Sequence, residues 1–411
     1  MKKILSSVGV LIALALGTNA MAVAFTPGNL VVYRMGNGTS GGLTNIGSPV
    51  FLVEITTNGS PVQSIPVATN LFSATTSLTE GYLTLSVDGQ YLVFGGYASP
   101  PVGAPGATNV TLSGVSASVI NRTIVRADAA ANLDTSTKLT DFASGGNPRG
   151  AATTDGQTIY LAGSGGTGNY RVTTLGATTS GSISASVTTP RTIGIWSNQL
   201  YGSAQSGAFR IFTIGSGVST NGGQVCTNLP GFPATTGSPY AFVFFKLTGG
   251  TDPFDTLYYC DDTNRLYKFS LVGGNWTTNG YISVHGGAGG GLAPRGLTGK
   301  SDGAGVHLFV SSGGTLSTGS GDLVAYTDTT GWNAAPTGDG GDIGDVAEWV
   351  VSPGSQNTFR GVAYVPSFTG SANLIVNSSG ALNASGFYQG LVWGSEWLWN
   401  RQKFALRIRL R

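Results

Sequence analysis

The stretch Phe359-Arg360-Gly361-Val362-Ala363-Tyr364-Val365-Pro366 decides the fold, because weaker copies of it punctuate the chain upstream. The copies are Pro148-Arg149-Gly150-Ala151-Ala152, Pro190-Arg191-Thr192-Ile193-Gly194-Ile195 and Pro294-Arg295-Gly296-Leu297-Thr298. Each opens a unit of short apolar runs separated by polar turns, and recurrence at a period of roughly 40 to 65 residues is the signature of a propeller or solenoid.

Working outward, the turns Thr57-Asn58-Gly59, Asp88-Gly89, Asp155-Gly156 and Ser197-Asn198 each join two strand-like runs as hairpins. Unit starts at 82, 149, 191, 240, 295 and 360 lie 67, 42, 49, 55 and 65 residues apart, each interval long enough for four short strands. Phe359 to Val365 is an inner-type strand with nothing after it, whereas Asn29–Arg34, Pro49–Ile55 and Pro61–Val67 are three strands with no inner partner. Unpaired edges expose unmet backbone donors and acceptors, so the closing strand is expected to pair with the opening three. The expectation is an all-β, six-bladed β-propeller. Seven blades would follow if the interval from 82 to 149, with its Pro/Gly-rich loop Ser99–Gly106, held an additional unit. A β-helix would have shorter coils and no repeated hairpins.

Residues 1–24 carry Lys2 and Lys3, an apolar run from Val8 to Leu16 and small-residue cleavage sites at Ala22 and Ala24, the pattern of a secretory signal peptide. The run is too short to span a bilayer. The organisation expected is therefore signal peptide 1–24, propeller 25–366 and tail 367–411, in a protein secreted to an extracellular, cell-surface or periplasmic location. Charged residues are only 10% of the chain while Gly supplies 65 residues, yet 40% hydrophobic content provides ample core. Phe25 to Val365 holds 14 basic and 18 acidic residues, a net of −4. That balance argues against a nucleic-acid partner. Cys226 and Cys260 are compatible with a disulfide in an exported chain or with two buried thiols, and spacing does not choose between them.

Asp255-Thr256-Leu257-Tyr258-Tyr259-Cys260-Asp261-Asp262, Leu266-Tyr267-Lys268-Phe269-Ser270, Gly273-Gly274-Asn275-Trp276, Arg295-Gly296-Leu297-Thr298-Gly299 and the opening Gly28-Asn29-Leu30-Val31-Val32-Tyr33-Arg34 together resemble a group of secreted bacterial β-propeller proteins. The resemblance spans most of residues 28 to 366. It implies a compartment and a fold but no reaction, since that group consists mostly of uncharacterised extracellular or cell-surface proteins. The Pro-Glu-Pro sorting motif of some relatives is absent here.

Three constellations could carry chemistry. Arg149, Arg191, Arg295 and Arg360 begin the inner strands, where planar guanidiniums could ring a channel mouth and grip a carboxylate or phosphate, or else donate to backbone carbonyls at blade junctions. Asp339, Asp342 and Asp345, with Glu348 nearby, form a Gly-rich carboxylate cluster of the kind that calcium favours, though without EF-hand spacing. Asp261 and Asp262 read as turn residues. His285 and His307 accompany no nucleophile elbow. Trp196, Trp276 and Trp332 are candidate sugar platforms. Trp393, Trp397 and Trp399, followed by Arg401, Lys403, Arg407, Arg409 and Arg411, suit a membrane interface or an acidic surface polymer. The function expected is a non-catalytic binding or structural module at a bacterial cell surface, needing no cofactor and contacting an extracellular protein or glycan. The competing expectation is a calcium-dependent hydrolase, like secreted lactonases and phytases, with carboxylates projecting into the central channel.

Overall fold

A computed structural model describes residues 23–68, 70–205, 207–284, 293–313 and 321–368, together with the backbone of a short strand pair, Ile375–Val376 and Leu382–Asn383. Nearly all of the expected signal peptide, His285 and almost the whole aromatic and basic tail lie outside the described residues.

Six four-stranded antiparallel sheets form the blades of a β-propeller. Blade 1 comprises Thr358–Tyr364, Leu30–Met35, Val50–Ile55 and Pro61–Pro66; blade 2 comprises Thr84–Leu85, Tyr91–Tyr97, Arg122–Asp128 and Leu133–Leu139. Blades 3 and 4 are Pro148–Thr153, Thr158–Gly163, Asn169–Thr174, Gly181–Ser184 and Pro190–Trp196, Gln199–Ala204, Ile211–Ile214, Cys226–Asn228. Blade 5 contains Pro239–Phe245, Thr256–Asp261, Arg265–Val272 and Asn275–Ser283, and blade 6 contains Pro294–Asp302, Gly305–Ser312, Leu323–Asp328 and Ala347–Val351.

The ring closes as the opening and closing strands require. Leu30 pairs with Tyr364, Val31 with Ala363 and Val32 with Val362. Val31 packs with Phe94 of blade 2, whereas Val32 packs with Phe309 of blade 6, so one strand pair seals both neighbours. The interval from 82 to 149 holds one blade and a surface loop, not a seventh unit. Arg122 fastens that loop by donating to the carbonyls of Ile120, Val115 and Gly146, with its guanidinium 4.7 Å from the Tyr97 ring centroid.

Strand alternation builds the core. Every residue of Thr256–Asp261 is buried because the strand has a blade on each side. Leu257 and Tyr259 pack toward Tyr201 and Ile211 of blade 4, and Tyr258 and Cys260 toward Leu308 and Tyr326 of blade 6. Period-two alternation thus sends odd and even residues into different inter-blade layers. At Ser197 and Asn198, φ values of 46° and 57° supply the doubly left-handed turn that joins Trp196 directly to its partner Gln199.

Cys226 and Cys260 are free and buried in this structure. Cys226 lies on the outermost strand of blade 4, with its thiol 3.4 Å from Ser184 Oγ, while Cys260 lies on the second strand of blade 5, with its thiol 3.8 Å from the Gly296 carbonyl oxygen. They belong to different inter-blade layers.

Candidate functional site: an axial arginine–tyrosine ring

The repeated Arg-Gly dipeptide acquires its meaning at the start of the inner strands. Arg149, Arg191, Tyr240, Arg295 and Arg360 each sit where the register between the inner strand and its neighbour shifts. A bulge inserts an extra residue and re-aims its side chain. Tyr82, just ahead of the short inner strand of blade 2, holds the sixth equivalent position. Around the axis from blade 1 the order is Arg360, Tyr82, Arg149, Arg191, Tyr240, Arg295, an Arg-Tyr-Arg triplet used twice.

Tyr82 and Tyr240 are three blades apart and therefore opposite, and their rings stack across the axis with centroids 6.0 Å apart. The guanidiniums of Arg191 and Arg295 approach the Tyr240 ring centroid at 4.4 and 3.7 Å. Such contacts are worth about 0.5–2 kcal/mol each. The glycine that follows an arginine has a separate task. A Cβ on Gly296 would lie 2.4 Å from the Arg360 carbonyl oxygen, and one on Gly361 would lie 2.3 Å from the Leu83 nitrogen. In the Arg295-Gly296 dipeptide the arginine reaches the axial Tyr240 and the glycine lets consecutive inner strands touch.

The four arginines have two kinds of partner. Arg149 Nη1 donates to the Pro190 carbonyl across a blade junction, and Arg360 donates to Thr358 Oγ1 and to the carbonyls of Phe359 and Thr76. Arg191 and Arg295 instead converge on Asp262, with Arg191 Nη2 3.3 Å from Oδ2 and Arg295 Nη1 against Oδ1. Ser238 Oγ adds a 2.7 Å bond to the same carboxylate. Sequence reading gave Asp261 and Asp262 the same turn-forming role. Asp261 has it, accepting from Thr263 and from the Ser238 amide, whereas Asp262 is the ring's counter-ion.

Hydrogen-bond donors outnumber acceptors here. Each guanidinium carries five N–H groups and no acceptor. Among the described residues, the Nε atoms of Arg149, Arg191 and Arg295 and the Tyr82 hydroxyl are buried with no hydrogen-bond partner. Burial, and after it the charge of Arg191, lowers the pKa of Arg149; burial and the charge of Arg295 push Arg360 down to about 10 against the opposing effect of Glu80. Glu80 itself is buried under Thr75, Tyr97 and Asn147, and its pKa is raised because burial outweighs those hydrogen bonds.

Beyond the tyrosines the axis opens into a cavity of about 210 Å³, lined by all six inner strands. No Asp or Glu lines it among the described residues.

The acidic loop does not gather into a site. Asp339 accepts from the Tyr281 amide, Asp342 caps the short 3-10 turn Ile343–Asp345 through Gly344, and Glu348 accepts from Thr327. Among the described residues no three His, Cys, Asp or Glu side chains are placed to hold one metal ion. His307, on the second strand of blade 6, lies between Thr327 Oγ1 at 2.8 Å and Asp302 at 3.1 Å. Trp276 is buried beside Phe244 and Phe254 and offers no sugar platform, Trp196 is half-buried, and Trp332 is 37% exposed.

No known protein family and no curated protein matches this sequence. Among solved structures, a chain of the nidogen/laminin complex is 14% identical over 82% of this chain and 98% of its own, with a TM-score of 0.47. The Cps50 (Swd1) β-propeller domain of Myceliophteria thermophila is 13% identical over 62% of this chain and 67% of its own, with a TM-score of 0.33. The propeller assignment rests on the six-sheet ring itself.

Proposed function

We propose that the chain is an exported, non-catalytic binding propeller of a bacterial cell surface whose axial ring holds an anionic group, a carboxylate or phosphate, of an extracellular protein or glycan. The observation that carries this reading is the donor excess at the ring. Arg191 and Arg295 converge on the Tyr240 ring and share one partly exposed carboxylate, and the buried Nε atoms of Arg149, Arg191 and Arg295 and the buried Tyr82 hydroxyl have no hydrogen-bond partner among the described residues. Buried donors left unpaired cost about 1–3 kcal/mol each, so an anion that accepts from these groups gains by satisfying them.

Arg149 is the natural first contact. It is half-buried where Arg191 and Arg295 are 4% exposed, and it neighbours Arg191, whose like charge an anion would offset. The N-terminal apolar run supports export, and the basic, tryptophan-rich tail would hold the propeller against a membrane or an acidic surface polymer. A calcium-dependent hydrolase would need carboxylates converging on the axis, and the cavity lining offers none among the described residues.

Calorimetric titration with acetate, citrate and inorganic phosphate tests the proposal. Saturable binding that weakens with ionic strength and falls about tenfold or more in Arg149→Gln is expected from the loss of one charge-assisted hydrogen bond of about 1.5–3 kcal/mol. Heats that never saturate, or binding untouched by Arg149→Gln and Arg191→Gln, would overturn it.

A further inference from the structure

The cavity beyond the tyrosine stack is a second site, independent of the arginine ring. All six inner strands run the same way along the axis, so the ring marks their starts and the cavity their later residues. Its walls include Leu85, Ile193, Trp196, Phe242, Phe244 and Val362, with Tyr82 at the ring end. Val87 at its outer end is 56% exposed. Ala241 is a small, partly exposed side chain in its wall. The Trp196 ring lies across Gly194, where a Cβ would meet it at 2.2 Å.

Two features define what fits. First, no charged side chain lines the walls among the described residues, and the four guanidiniums stand beyond Tyr82 and Tyr240 at one end. A cation would face like charge at the ring end. Second, each inner strand pairs on one side only, leaving its other edge toward the axis. Some of those edge groups bond between blades, as Val87 and Asp88 do to Thr153 and Thr154. The edges of blades 4, 5 and 6 alternate backbone N–H and C=O groups beside the aromatic and aliphatic walls. We propose that this axial cavity binds a small uncharged aromatic molecule that carries hydrogen-bonding groups on its ring edge. A dry cavity of about 150 Å³ accommodates benzene. The roughly 210 Å³ here is room for a fused bicyclic ring.

Indole is the probe, titrated calorimetrically into the full chain and located by intermolecular NOEs to the Trp196 and Phe242 rings. Saturable binding is expected, with tryptamine, the cationic relative, at least about tenfold weaker. Ala241→Phe on blade 5 and Thr298→Leu on blade 6 each place bulk at a partly exposed lining position, and each should weaken indole at least about tenfold while the protein still melts cooperatively. Arg149→Gln should leave indole binding unchanged, which separates this site from the anion site. Absence of saturable binding up to the solubility of indole, equal affinity for indole and tryptamine, or undiminished binding in both filled variants would overturn the proposal. If neither variant folds, NOEs from indole to Trp196 and Phe242 in the unaltered protein decide it, and their absence counts against.

Discussion

Replacing Lys268 by methionine should unfold blades 5 and 6 more readily than any exposed substitution could. Lys268 Nζ lies 2.7 Å from Asp328 Oδ2, and both side chains are wholly buried. The ammonium also donates to Thr330 Oγ1 and the Gly331 carbonyl, while Asp328 accepts from Tyr258 and from the amides of Thr330 and Thr337. The pair therefore ties the third strand of blade 5 to the end of the third strand of blade 6. Removing one partner of a buried ion pair leaves an uncompensated charge and costs about 3–5 kcal/mol. Adding Asp328→Asn to Lys268→Met removes that charge and keeps part of the hydrogen bonding, so the double-mutant cycle should show a coupling of about 2 kcal/mol. Urea unfolding at neutral pH measures both. The pH dependence gives a second reading. Burial alone would raise the pKa of Asp328, but hydrogen bonds from Lys268 and Tyr258, with the charge of Lys268, lower it overall. A carboxylate whose folded pKa lies below its unfolded value of about 3.9 contributes stability above that value and loses it as pH falls through the folded pKa. Asp328→Asn should accordingly flatten the acid limb of the stability profile. A Lys268→Met cost below about 1 kcal/mol, the range of exposed pairs, would refute the reasoning.

Ending the chain before Phe359 should abolish cooperative melting, because blade 1 loses its inner strand, whereas ending it after Pro366 should leave the melt unchanged; equal melts would overturn the closure argument. Gly296→Ala should destabilise by about 1–3 kcal/mol in urea unfolding through its clash with the Arg360 carbonyl, and a neutral result would remove the close-approach role of the glycine. Neither Cys226 nor Cys260 should react with a thiol reagent in the native protein, and both should react in denaturant without reductant; burial raises the Cys260 pKa and slows it further.

The architecture was legible because it is written in spacing. Hairpin turns fix strand pairs locally, and the orphan strands at Leu30–Met35 and Thr358–Tyr364 have one way to satisfy their edges. The axial site was half legible. The four arginines stood out as a repeat, but Tyr82 and Tyr240 share their position without sharing their chemistry, so a search for like residues passed over them. Aligning four of the inner strands on the residue after Pro148, Pro190, Pro239 and Pro294 would have found Tyr240. Asp262 was hidden for another reason. Its neighbour Asp261 builds the turn that such residues usually build, and only the ring's curvature carries Asp262 to arginines 71 residues earlier and 33 later. In the acidic loop, closeness in sequence puts Asp339, Asp342 and Asp345 together, and backbone amides take up Asp339 and Asp342 separately.

The most direct measurement soaks crystals in sodium bromide and locates the bound ions by anomalous scattering. A bromide peak on the axis among Arg149, Arg191 and the Tyr82 hydroxyl, diminished in Arg149→Gln crystals, is the expected result. Bromide confined to the outer surfaces of the blades, with the ring empty, would contradict the assignment of this ring as an anion site.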